Sequence, residues 1–122
     1  MNAESQLVGG VDFVGVPTRD LEQAARFYGE TLGWKLQTDE PYVAGLWFGS
    51  GYLVAALEPS TAAKPRDGGM RVTVRVDDLD AQHGRLKDKG VAVNPIESRP
   101  WGQRDFSFTD PDGYGWEYAQ AV

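Results

Sequence analysis

Cysteine is missing from the 122 residues of this chain, and histidine occurs once, at position 83. The first absence excludes disulfides, thiolate nucleophiles and Cys-ligated zinc or iron–sulfur centres. Basic residues are scarce as well, with 12 Lys and Arg against 18 Asp and Glu and a formal charge of -6. Nucleic acid and anionic membrane surfaces both require a basic face, so neither is an expected partner. A neutral or cationic small molecule suits the charge better. No stretch approaches the roughly 18 apolar residues of a membrane helix. The opening Met-Asn-Ala-Glu-Ser-Gln has neither the basic start nor the apolar stretch of a signal peptide, and a cytoplasmic location is expected.

What is present is ordinary in bulk, 41% hydrophobic and 25% charged, enough for one globular domain with a buried core. The organisation is more informative, because a unit occurs twice. Residues 18–35 and 76–92 both carry an Asp-Leu-acid helix start, and a Gly closes each helix 12 or 13 residues later. Two similar modules are expected, one over about 10–58 and the other over 70–121, with a linker at 59–69 rich in Pro, Gly and small residues.

Periodicity sketches the elements. Val11 to Pro17 alternates as a half-buried strand, and Leu21, Ala25, Tyr28 and Leu32 recur at helical spacing, predicting a helix over 20–32. Asp20 with Gln23 resembles a capping box. Strands are predicted over 34–38, 43–49 and 52–57. The second copy repeats the layout with a strand over 71–76, a helix over 79–89, and strands over 91–96, 104–109 and 115–120. In the first of these Val72, Val74 and Val76 face the helix, leaving Arg71, Thr73 and Arg75 on the concave side. Asp110-Pro111-Asp112-Gly113 fits a type I turn joining the last two strands.

Two βαβββ modules, the Asp-Leu-Glu…Phe-Tyr…Leu-Gly-Trp helix at 20–34, and the closing Phe-Thr-Asp-Pro-Asp-Gly-Tyr-Gly-Trp-Glu at 108–117 resemble the vicinal oxygen chelate superfamily. That group includes glyoxalase I, extradiol dioxygenases, fosfomycin-resistance transferases and bleomycin-resistance proteins. The resemblance implies an α+β fold of curved mixed sheets enclosing a concave cavity, with helices on the outer face. It leaves the chemistry open, since one fold hosts many reactions.

The family's metalloenzymes hold a divalent ion with His, Gln or Glu at four concave positions. Carried over, these fall on Phe13, about Val54, Arg71 and Glu117. Only Glu117 can ligate, because Phe13 and Val54 offer no lone pair and arginine stays protonated. No metal and no cofactor are expected. By the same resemblance Arg71 and Glu117 converge, and an ion pair between them is expected where relatives hold the ion. His83 falls at the position equivalent to Ala25 and reads as a packing residue of the second helix.

If register follows the family, Phe13, Trp47 and Tyr52 line the cavity from the first module, and Asp105 and Ser107 join Glu117 in the second. Trp101, in Arg-Pro-Trp-Gly-Gln-Arg, is similar to a Pro-Trp-Gly stretch of bleomycin-resistance proteins and resembles a mobile cavity edge. Such rings stack on planar ligands and hold cations over their faces. Trp34, Trp116 and Tyr28 read as core. The favoured function is a metal-free protein of the bleomycin-resistance type that sequesters an antibiotic or a planar, partly cationic metabolite. The alternative is a metal-independent isomerase, epimerase or cyclase in which Glu117 or Asp105 is the general base and Arg71 stabilises an enolate or carboxylate. A third is a glyoxalase-like metalloenzyme with atypical ligands. The resemblance also implies a homodimer in which each cavity takes one module from each chain.

Overall fold

The structure, a computed structural model, describes residues 13–36, 46–49, 53–60 and 70–122. In chain order the elements are β1 (Val14–Thr18), α1 (Leu21–Arg26), a π-helical turn (Phe27–Thr31), β2 (Lys35–Leu36), β3 (Leu46–Gly49), β4 (Val54–Pro59), β5 (Val72–Arg75), α2 (Leu79–Asp88), β6 (Glu97–Arg99), β7 (Gln103–Thr109) and β8 (Gly115–Ala121). They form two four-stranded sheets in the orders β1-β4-β3-β2 and β5-β8-β7-β6. The first and last strands of each copy run parallel and the other pairs antiparallel, so both sheets are mixed. The α+β class and the duplicated topology expected from sequence are present.

Local chemistry explains why both copies fold alike. Asp20 and Asp78 sit at the two helix N-caps in extended backbone, and each carboxylate accepts from the backbone N–H three residues on, Gln23 or Ala81. Gly33 and Gly90 follow the helices at φ 74° and 84°, a left-handed conformation that ends a helix at little cost only for glycine. The second helix also secures the first. Arg85 Nη1 donates to Leu32 O at 3.0 Å and Lys89 Nζ to Glu30 O at 2.9 Å, placing two cations on C-terminal carbonyls that have no helical partner.

The helix predicted over 20–32 is not uniform. It is α-helical only to Arg26 and then widens, with Leu32 N donating to Phe27 O and Trp34 N to Tyr28 O. Gly29 lies in the widened turn, where a Cβ would stand 2.8 Å from Phe48 Cε1. A strand predicted over 91–96 also requires correction. Val91–Ile96 is outside the ladder, which is regular only at Glu97–Arg99. Pro95 has no N–H to contribute. Asn94 N reaches Ser107 O, yet pairing resumes with Glu97 opposite Asp105, so one extra residue is accommodated between them. Strand β4 runs on through Glu58 and Pro59, beyond the expected end of the first module.

The helix-facing sides of both sheets meet in one core. Val16, Tyr28, Trp34, Phe48 and Leu57 of the first copy pack with Val74, Leu86, Phe106, Trp116 and Tyr118 of the second. Tyr28 and Trp116 are edge-to-face with centroids 5.8 Å apart, as are Trp34 and Trp116 at 5.3 Å. Polar ends inside the core are paired: Trp116 Nε1 donates to Tyr28 Oη, Tyr28 Oη to Asp110, and Trp34 Nε1 to Tyr118 Oη. Asp110 also closes its own turn by accepting from Asp112 N and Tyr114 N, and Gly113 N returns to Asp110 O. The core uses one face of each strand and leaves the opposite face of the second sheet for other work.

Candidate functional site

On that opposite face β5 presents Thr73 and Arg75, with Arg71 just before the strand, while Val74 between Thr73 and Arg75 is buried at 3% exposure. Strand β8 sets Glu117 beside Thr73, and β7 sets Ser107 beside Glu117. Asp105 lies two residues along β7, opposite Glu97 of β6. The chain thus brings acids and guanidiniums from four strands to one surface.

Glu117 is 7% exposed and engaged at both oxygens. Arg71 Nη2 stands 3.4 Å from Oε2, and Thr73 Oγ1 donates to Oε1 at 2.9 Å. The ion pair expected between Arg71 and Glu117 is therefore present as geometry. Arg71 itself is 57% exposed at its side chain, so the pair contributes little to stability by itself, about 1 kcal/mol or less.

A second, tighter pair lies beside it. Arg99 Nε donates to both oxygens of Asp105, at 3.2 and 3.0 Å, and its Nη2 donates to Oδ1 at 2.8 Å. Gln103 Nε2 adds a bond to Oδ2 at 2.8 Å. The Arg99 bonds hold the Asp105 carboxyl below the usual carboxylate range, against the opposing effect of burial. The same bonds raise the pKa of Arg99, which also meets Glu97 at 3.0 Å. Glu97, Asp105 and Glu117, with Arg71 and Arg99 among them, surround a hollow of about 130 Å³ that Asn94 and Ser107 also line. Asn94 Nδ2 donates to Ser107 Oγ at 2.6 Å, fixing that rim.

Trp101 occupies the tip of the β6–β7 turn, closed by Gly102 N donating to Arg99 O, and is 70% exposed. It borders a separate hollow of about 280 Å³ with Thr73, Arg75, Gln103 and Ala119. Phe13 is 40% exposed and Val54 half-buried, both at or beside the ends of first-sheet strands. Trp47 belongs to β3 opposite Ala56, but its side chain and the whole of Tyr52 lie outside the described residues. His83 packs as expected, its ring 4.9 Å from Phe106 and its Nε2 within 2.9 Å of Asn94 O.

The donor set does not fit a divalent ion. Of the four positions matching the family's ligands, only Glu117 carries a suitable atom, and a guanidinium and a hydroxyl already occupy both of its oxygens. Among the described residues there is no group of three or more His, Cys, Asp or Glu that could hold a metal. No described helix is long and apolar enough to cross a membrane.

Arg99, Gln103 and Thr73 were not among the residues sequence singled out for the site. Thr73 was legible as a concave residue of β5. Arg99 falls between the strands expected over 91–96 and 104–109, whereas Glu97–Arg99 is itself a strand.

Comparison with known proteins accords with this architecture. A family model described as the Glyoxalase/Bleomycin resistance protein/Dioxygenase superfamily matches residues 10–118. TnmS3, an antibiotic binding protein from Streptomyces sp. CB03234, has 36% sequence identity and a TM-score of 0.77, with 94% of this chain and 98% of that one covered. A glyoxalase/bleomycin resistance protein from the same Streptomyces source is 37% identical, with a TM-score of 0.70 and coverage of 87% and 96%. The Escherichia coli (strain K12) protein YaeR is 26% identical over 115 residues, 84% of this chain and 89% of its own length. The present chain belongs to the glyoxalase/bleomycin resistance protein/dioxygenase superfamily.

Proposed function

We propose that this protein binds a flat, partly cationic small molecule, an antibiotic or comparable metabolite, and sequesters it unchanged and without a metal. One observation carries the reading: both carboxylates placed to act as a general base are already engaged. Asp105 is clamped by Arg99 and Gln103, and Glu117 by Arg71 and Thr73. A base must be free to take a proton near neutral pH, whereas Asp105 is held as a carboxylate well below that range. Carboxylates fixed in this way supply an oriented polar surface for a ligand instead. The antibiotic-binding relative at 36% identity over nearly the full chain supports the same role.

A homodimer that shares each cavity is part of the proposal. In one chain Arg71 and Trp101 face solvent at 57% and 70% exposure, and a second copy's first module would cover them. Light scattering at micromolar concentration is expected to return twice the chain mass.

The deciding experiment is a tryptophan-fluorescence titration with a panel of antibiotics, followed by mass spectrometry of each saturating mixture. Saturable quenching with the compound recovered intact supports the proposal. A converted compound moves the assignment to a metal-independent isomerase, epimerase or cyclase. Stoichiometric transition metal in the purified protein would replace both readings with a Lewis-acid enzyme.

A further inference from the structure

We propose that the hollow beside Trp101 is a subsite for an acidic group, a carboxylate, phenolate or enolate, carried on the planar part of the ligand, and that Arg75 is the residue that holds it. The inference rests on the proposed binding role and makes the ligand dipolar rather than simply cationic.

Three observations carry it. First, Arg75 has no hydrogen-bond or ion-pair partner among the described residues, whereas Arg26, Arg71, Arg85, Arg99 and Arg104 each have one. Second, three other polar side chains of the hollow, Thr73, Gln103 and Gln120, are committed elsewhere. Thr73 donates to Glu117, Gln103 donates to Asp105, and Gln120 both accepts from Leu79 N and donates to Asp77 O. Among the described residues of the lining, Arg75 is thus the one uncommitted charged side chain. Third, among the described residues no carboxylate lines this hollow and Arg75 is its one charged side chain, in a protein of net charge -6. The adjoining hollow has the opposite balance, with three carboxylates to two guanidiniums.

The two hollows lie along one strand. Thr73 is opposite Glu117 and Arg75 is opposite Ala119, so the cationic and acidic ends are two residues apart, about 7 Å at the usual strand rise. The floor between Arg75 and Trp101 is kept low by Ala119, Ala121 and Gly102, and about 280 Å³ is room for a fused aromatic ring system. A ring under the Trp101 indole would lay an acidic substituent against Arg75, whose planar fork matches a carboxylate. The ligand's polar or basic portion would then extend toward Glu97, Asp105 and Glu117.

The test uses a matched pair of probes, 2-naphthoate and 2-naphthamide, with calorimetric titration of the full chain and of its Arg75→Gln and Trp101→Ala variants. Wild type is expected to bind the naphthoate about tenfold tighter than the amide. Arg75→Gln is expected to abolish that preference while leaving amide affinity unchanged, and Trp101→Ala to weaken both probes alike. Arg75 is exposed and has no partner among the described residues, so its variant is expected to keep the wild-type circular dichroism and melting temperature. Equal binding of the two probes, or a preference that survives in Arg75→Gln, would overturn the role of Arg75 and leave the binding function standing. Failure of both probes to bind at millimolar concentration would overturn the subsite, and the antibiotic titration alone then decides the binding function.

Discussion

The Tyr28 hydroxyl, fully buried, donates to Asp110 Oδ2 at 2.6 Å across 82 positions of sequence. It joins the end of the first helix to the Asp-Pro-Asp-Gly turn of the second module, and the same oxygen accepts from Trp116 Nε1 at 2.9 Å. Burial pushes the Asp110 carboxyl up, and burial together with the Asp110 charge raises the Tyr28 hydroxyl well above the ordinary phenol range. The proton therefore stays on Tyr28, which acts as donor. Tyr28→Phe removes one atom and leaves both the carboxylate and the Trp116 N–H short of a buried partner. A loss of about 3 kcal/mol in unfolding free energy is expected by urea denaturation. A loss under about 0.5 kcal/mol would mean that water replaces the hydroxyl without penalty.

Asp105 and Asp110 respond to pH with opposite sign. The Asp105 pKa is lowered in the folded state, so its stabilisation is complete above the ordinary carboxyl range and is lost as pH falls through the lowered value. The Asp110 pKa is raised, so its contribution is complete below the ordinary range and is lost as pH rises through the raised value. Asp105→Asn isolates the first effect, because Asp110 is common to both proteins. At pH 7 the variant is expected to be about 2 kcal/mol less stable, the scale of hydrogen bonds to a charged group. That gap should close as pH is lowered below the ordinary carboxyl range in a urea-denaturation series. A gap that stays constant down to pH 2 would show that Asp105 does not depend on its charge.

Gly29 sets two magnitudes against each other. Alanine in place of a helical glycine gains up to about 1 kcal/mol from propensity. Here the new methyl would meet the Phe48 ring at 2.8 Å, and Phe48 is 5% exposed in the core, with little room to move. Overpacking of this kind costs about 1 to 3 kcal/mol, so Gly29→Ala is expected to be net destabilising by about 1 to 2 kcal/mol in thermal or urea unfolding. Gly84 is the control, since among the described residues nothing lies within 4 Å of where its Cβ would stand. Gly84→Ala is expected to leave stability unchanged or raise it by up to about 1 kcal/mol. Equal effects at the two positions would refute the packing account.

Repeated local signals made much of this fold readable. The twin Asp caps, the glycines at 33 and 90, and the Val72-Val74 alternation each act through one or two neighbouring residues and pointed the right way. Arg71 with Glu117 was reached through the family resemblance, which fixed the strands on which they sit. What escaped depends on contacts distant in sequence or on irregular backbone. The π-helical turn sets Gly29 against Phe48, a neighbour 19 positions away that no helical period encodes. The extra residue around Pro95 displaced the ladder to Glu97–Arg99, and with it went the recognition that Arg99 clamps Asp105. The freedom of Arg75 depends on where the acids of other strands come to lie, which the strand pattern does not encode: Arg71 and Arg99 meet Glu117 and Asp105, and no described acid reaches Arg75.

Trp101 separates binding from stability. At 70% exposure on a hairpin tip it buries little surface, and its turn is closed by the backbone of Arg99 and Gly102 rather than by its ring. Trp101→Ala is therefore expected to change unfolding free energy by no more than about 0.5 kcal/mol. A stacked ring contributes about 0.5 to 1.5 kcal/mol to a contact, so affinity for a planar ligand should fall about 2- to 12-fold in calorimetric titration. Trp34 and Trp116 are the contrast, at 6% and 2% exposure in the aromatic cluster, where replacement by alanine is expected to cost about 3 to 5 kcal/mol. A Trp101 variant that unfolds easily, or that binds planar ligands as tightly as wild type, would assign the ring to packing and remove it from the cavity edge.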